Sequence, residues 1–189
     1  MTPGAGEAHA DPAPAVTSEL RIPDPSLVLL VGIAGCGKST FARRHFRPTE
    51  VVSSDACRAM VADDPTDQDA TSDAFSVLSF ILDKRLRRGR LSVVDATNLT
   101  RDHRRRYLGL ADKYAIPPVA IVLDLPFEVC HERDRRREGR QVGVDVLQRQ
   151  RRDLDRGLAQ LQRDPAYRVL RILTSQEEVD AVRVVREPA

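Results

Sequence analysis

Nine consecutive residues, Gly32-Ile33-Ala34-Gly35-Cys36-Gly37-Lys38-Ser39-Thr40, match the spacing G-x-x-x-x-G-K-[ST] at every fixed position. Each residue type has a reason. Glycines let the backbone turn its N–H groups toward an anion. Lys38 adds a full positive charge at β- and γ-phosphates, and the Ser39 hydroxyl can ligate Mg²⁺. The chemistry is binding of a nucleoside triphosphate with its metal, so ATP and Mg²⁺ are the expected cofactors.

Further residues have types suited to phosphoryl transfer. Asp55 could take the proton of an attacking hydroxyl, or it could cap the helix that follows. Arg58 lies about one helical turn on; it could grip an acceptor phosphate or pair with Asp55. In Asp95-Ala96-Thr97-Asn98, Asp95 could hold Mg²⁺ through water, with Thr97 and Asn98 organising the rim around an acceptor. The same residues also favour plain turns. Arg133, Arg137 and Arg140 are spaced by four and three. That spacing expects one side of a helix, either an arginine-bearing lid over ATP or a solvated face paired with Glu132, Asp134 and Glu138. Asp63, Asp64 and Asp67 lack the spacing and glycine of a calcium loop and read as a connector.

The elements that must position these residues alternate between strand and helix. The apolar run Leu27–Val31 precedes the glycine loop as a buried strand, and a helix opens at Ser39. Strands are expected at 50–54, 91–94, 119–123 and 168–173. Helices are expected at 70–88, 100–115, after Pro126, and at 144–162. The helix after Pro126 runs on into the polar segment 133–141. Thr100 and Ser175 are expected caps, the latter in a capping box with Glu178. This is an α/β chain with a five-stranded parallel sheet, order 2-3-1-4-5, and helices on both faces. In such a sheet ligands bind beyond the strands' C-terminal ends, where Lys38, Ser39, Asp55 and Asp95 to Asn98 converge.

Composition sets bounds. A chain of 189 residues suits one domain, and at 4% aromatics its core must be aliphatic. The net charge of +2 by itself argues for no polyanionic partner. Lysine occurs only at 38, 84 and 113, so arginine dominates the basic runs around 85–90, 101–106 and 133–140. Cys36, Cys57 and Cys130 are scattered, which argues against structural zinc and fits a reducing cytoplasm. No apolar run suits a membrane span. Residues 1–23 read as a disordered N-terminal arm ahead of a domain at 24–189.

Taken together, these stretches resemble the 5′-kinase domain of bacterial polynucleotide kinase–phosphatases, RNA-repair enzymes of the P-loop phosphotransferase superfamily. Gly35 to Phe41, Ser53-Ser54-Asp55-Ala56-Cys57-Arg58, Asp63 to Gln68 with Ala74-Phe75, and Arg85-Leu86 with Val93 to Asn98 carry the likeness. Cys130 to Arg133 with Arg137 and Arg140-Gln141-Val142 complete it. The resemblance implies transfer of the ATP γ-phosphate to a 5′-hydroxyl end of RNA or DNA. It implies Gly35, Cys36, Gly37, Lys38, Ser39 and Thr40 on the nucleotide phosphates and metal, Asp55 as general base, and Arg58 on the acceptor's 3′-phosphate. Arg133 and Arg137 would be lid arginines, and Arg140 and Val142 would run beside the nucleotide. The family enzymes usually continue into a phosphatase domain, so here phosphatase and ligase steps are expected of separate proteins. The oligomeric state, a homo-oligomer included, is left open. A kinase acting on a nucleoside, sugar or antibiotic hydroxyl is the alternative.

Overall fold

The computed structural model describes residues 18–138 and 141–189. Its strands are β1 (Ser18–Asp24), β2 (Leu27–Val31), β3 (Val51–Ser53), β4 (Ser92–Asp95), β5 (Pro118–Leu123), β6 (Val169–Leu173) and β7 (Val182–Pro188). The helices are α1 (Lys38–His45), α2 (Ser54–Ala62), α3 (Thr71–Leu86), α4 (Arg101–Lys113), α5 (Phe127–Arg135), α6 (Val144–Gln162) and α7 (Gln176–Ala181).

Five strands form one parallel sheet in the order β3-β4-β2-β5-β6; counted one to five along the chain, they stand 2-3-1-4-5. The central strand β2 is apolar throughout because both its faces are covered. Val28 and Leu30 pack into one core with residues of α1, α5 and α6, while Leu27 and Leu29 pack into another with α2, α3 and α4. The helices meet the sheet through regular stripes. Ala74, Leu78, Leu82 and Leu86 are the buried residues of α3, at a spacing of four. Parallel register sets Asp95 beside Leu30 on one side and Ser53 on the other. The C-terminal ends of three strands, and the loops leaving them, therefore share one rim.

Two expectations need correction. The N-terminal arm was expected to reach residue 23, yet Ser18–Asp24 is a strand paired in parallel with β7. Alternate side chains Leu20 and Ile22 are buried in the core, which makes it a half-buried strand of period two. The rest of the arm lies outside the described residues. The arginines were expected to share a helix, but α5 ends at Arg135, with Arg136 at its C-cap. The cause is Asp134. Its buried carboxylate accepts the N–H groups of Val142 (3.2 and 3.1 Å) and Gly143 (3.2 Å), turning the chain back into α6. Arg137 thus sits beyond the helix, and Arg140 lies outside the described residues.

The small β1/β7 sheet is tied to the main body by charge. Arg186 of β7 donates to both carboxylate oxygens of buried Glu50, at 2.8 and 2.7 Å, just ahead of β3. Burial alone would push the Glu50 carboxyl up. The Arg186 fork and the Arg47 N–H outweigh it and hold the group below its ordinary 4.5. A carboxyl depressed in the fold contributes stability that is full above its unfolded value and is lost as pH falls through the folded value. Glu50→Gln is therefore expected to cost roughly 1–3 kcal/mol in urea unfolding at pH 7. The gap from wild type should narrow below pH 4.5; a gap that stays constant with pH would dissociate this pair from folding stability.

Candidate active site

A cleft of about 780 Å³ opens on the shared rim, lined by the phosphate loop and the ends of α2, α3, α4 and α5. The loop between β2 and α1 is shaped by close approaches that only glycine permits. At Gly35 (φ +76°), a Cβ would lie 2.1 Å from the Cys130 carbonyl oxygen in α5. At Gly32 it would lie 2.6 Å from the Cys36 sulfur and 2.7 Å from the Leu123 carbonyl oxygen. The loop is also held by hydrogen bonds: the Gly32 N–H to the Thr97 carbonyl at 3.1 Å, and the Ala34 N–H to Gln150 Oε1 at 2.8 Å. Gly37 (φ +95°) caps α1, which starts at Lys38.

Lys38 is buried, and its ammonium donates to the carbonyls of Gly32 (2.9 Å) and Ile33 (2.7 Å), curling back over its own loop. Ser39 and Thr40 are exposed in the first turn of α1. The Cys36 side chain is fully buried, so this residue can offer a ligand only its backbone. Burial, then the neighbouring Cys36, pushes the Cys130 thiol up to about 12, and it adds no negative charge beneath the loop at neutral pH.

Asp55 sits in the first turn of α2, but the cap of that helix is Ser53, whose hydroxyl accepts the Ala56 N–H at 3.4 Å. The Asp55 carboxylate faces cations instead. Arg58 Nη1 donates to Oδ1 at 2.8 Å, and Arg137 Nη2 stands 3.7 Å from Oδ2, an ion pair beyond hydrogen-bond length. Arg58 is almost entirely buried; Nη1 also reaches the Pro65 carbonyl at 3.1 Å, and Nε has no hydrogen-bond partner among the described residues. Arg133 donates to Gln176 Oε1 of α7 at 2.6 Å and approaches Gly37. Arg58, Arg133, Arg137 and Val142 all line the cleft with Lys38 and Ser39. Helix α2, after β3, and the segment after α5 thus bring their arginines to one carboxylate.

Asp95 ends β4 and lines the cleft with only 7% of its surface exposed. Asn98 differs from expectation. It is 2% exposed, and its side-chain amide donates to the Leu30 carbonyl at 2.8 Å. Its own carbonyl accepts a 2.9 Å bond from buried Arg104. With φ at +52°, Asn98 makes the tight turn that seats Thr97 under Gly32; its amide nitrogen is spent on the scaffold, while the residue still lines the cleft. Gln150, Gln176, Asp134 and Arg104 were not expected at the site. Gln150 and Gln176 act through contacts between segments far apart in the chain, while Asp134 and Arg104 bond the backbone of a neighbouring turn, and no motif spacing signals any of them.

Among the described residues no cluster of three or more His, Cys, Asp or Glu side chains could hold a metal. The oxygen donors Ser39 and Asp95 suit a hard cation that brings most of its ligands with the nucleotide, as Mg²⁺ does. No helix among the described residues is long and apolar enough to cross a membrane.

The fold recurs in known structures. A chain of the Pnkp1/Rnl/Hen1 RNA repair complex is 23% identical over 74% of this chain, with TM-score 0.63; this chain covers 47% of that one. A sugar kinase from Janibacter sp. HTCC2649 is 22% identical over 79% of this chain and 85% of its own, with TM-score 0.54. An APS kinase from Mycobacterium tuberculosis, in complex with AMPPNP and APS, is 18% identical over 85% of this chain and 95% of its own, with TM-score 0.51. No curated protein matches in sequence. Residues 27–161 match the AAA domain family model AAA_33, and with that span covering most of the sheet and its phosphate loop, the chain belongs to this family as a P-loop kinase-like domain.

Proposed function

We propose that this chain transfers the γ-phosphate of ATP to the 5′-hydroxyl end of a polynucleotide, RNA or DNA. The observation that carries the reading is the Asp55–Arg58 pair. A part-exposed carboxylate in the cleft is bonded to a buried guanidinium, and both line the cleft with the phosphate loop. The carboxylate suits the attacking hydroxyl, and the guanidinium suits a phosphate carried by the same acceptor.

In this mechanism the loop N–H groups and Lys38 hold the β- and γ-phosphates, Lys38 leaving the carbonyls of Gly32 and Ile33 for them. Mg²⁺, bound through Ser39 and through water at Asp95, would neutralise charge on the phosphates. Asp55 accepts the proton of the 5′-hydroxyl as its oxygen bonds to the γ-phosphorus and the bond to the ADP oxygen breaks. Arg133 and Arg137 are lid arginines, with Arg140 and Val142 following beside the nucleotide. The long Arg137–Asp55 contact lets Arg137 turn to a phosphate oxygen without losing a hydrogen bond. Closure also removes water from the transferring group. The 5′-phosphorylated product is the form a ligase would consume, so a ligase is the proposed partner, in a cytoplasmic setting.

A second reading, a kinase for a small hydroxyl compound, is favoured by one observation: the sugar kinase matches this chain over 85% of its own length. Labelled γ-phosphate transfer separates the two. The polynucleotide reading expects label on a short 5′-hydroxyl RNA or DNA and none on its 5′-phosphorylated counterpart. Label on sugars alone would replace it with the second reading.

Two variants test the residues. Asp55→Asn should lower transfer by about 10²–10⁴-fold with ATP affinity retained; transfer within tenfold of wild type would remove Asp55 as the base. Arg58→Ala should raise KM about ten- to a hundredfold more for an acceptor carrying a 3′-phosphate than for the matching nucleoside, measured as a ratio within the same variant. Equal effects on both acceptors would leave Arg58 a partner of Asp55 only.

A further inference from the structure

The wall of the cleft next to Arg58 holds a pair that the mechanism above does not use. The Arg58 guanidinium reaches the Pro65 carbonyl, in the connection from α2 to α3. There, Phe75 on α3 and Arg106 on α4 line the cleft together, the Arg106 guanidinium lying 5.5 Å from the centre of the Phe75 ring. Phe75 is half-buried and packs against the α2–α3–α4 core, and Arg106 is exposed. His103, one turn earlier on α4, lines the same wall. Burial, then Arg106 and Arg104, hold its imidazole below the ordinary 6.5, so at neutral pH the positive charge of this wall comes from the arginines. The other aromatic lining the cleft near this wall, Tyr107, is 1% exposed and offers no face to a ligand.

We propose that Phe75 and Arg106 form an acceptor subsite that stacks a nucleobase of the 5′-terminal segment, while the Arg106 charge attracts the phosphodiester that follows. This rests on the polynucleotide reading and extends it. Aromatic rings and guanidinium planes are the two side-chain surfaces on which bases stack, and here they come as one preassembled pair. Stacking recognises any base, so the subsite would prefer oligonucleotides over sugars without preferring a sequence. It also accounts for the position of Arg106 on the cleft side of the basic run 101–106, whose Arg104 is instead buried as a scaffold group.

The test is steady-state transfer to a 5′-hydroxyl octanucleotide and to the same strand made abasic at its first two positions. Phe75→Leu, which keeps an apolar side chain against the core, should raise KM for the intact strand about tenfold with kcat little changed. The abasic strand should show a much smaller rise, and KM for ATP should hold. Arg106→Gln, at an exposed helix position, should give the same split and a weaker salt dependence of KM. An unchanged KM, or an equal rise on both strands, overturns the subsite while transfer to polynucleotides stands. A wild-type chain that labels no 5′-hydroxyl strand overturns the subsite together with the reading beneath it.

Discussion

The phosphate loop lies against the backbone of α5 so closely that no side chain fits between them, and the geometry of the site follows from that contact. At Gly35 even a methyl group would overlap the Cys130 carbonyl. The contact fixes α5, and with it Arg133, relative to the loop. The Gln150 bond to the Ala34 N–H brings in α6, and the Thr97 bond to the Gly32 N–H brings in the turn after β4. Three segments from different parts of the chain thus hold one loop. A loop so held presents its N–H groups in a set direction without paying to organise them when an anion arrives.

Arginine does several distinct jobs here, and the surroundings decide which. Arg104 is 99% buried and spends two bonds on the carbonyls of Asn98 and Leu99, supporting the turn under the phosphate loop. Arg85 closes the α3–β4 connection by bonding the Leu91 carbonyl and the Ser92 hydroxyl. Arg186 locks the β1/β7 sheet to Glu50 and lies over Phe46. Among the described residues, the arginines at 43, 44, 58, 106, 133 and 137 line the cleft and face space that a ligand could enter. A planar fork that keeps its charge when desolvated suits both jobs, which a lysine ammonium would do less well.

Sequence patterns disclosed the parts of this molecule that are local. The glycine loop, the apolar run of β2, the stripe of α3 and the caps at Thr100 and Ser175 each depend on residues within a turn or two, and each stands where the pattern puts it. What escaped depends on distant partners. Strand β1 pairs with β7 across more than 150 residues, and a short alternation near a proline-rich start does not announce that pairing. Asn98 has the residue type of a polar rim, but only the folded chain shows its amide donating to Leu30. The arginine spacing from 133 onward fits a helix, and a single buried carboxylate, Asp134, ends that helix early by taking two N–H groups from the far side of the turn.

Ending the helix there has a functional sense. A continuous helix would fix Arg133 and Arg137 on one rigid face, pointing in one direction. With α5 stopped at Arg135, Arg133 stays on the rigid part, next to the phosphate loop and held by Gln176, while Arg137 leaves the axis and crosses to Asp55. In the proposed transfer the two guanidiniums would meet different atoms of one group: one from beside the loop, one from beside the carboxylate. Asp134 anchors both ends of the crossing segment, since it belongs to α5 and binds the N–H groups that lead into α6.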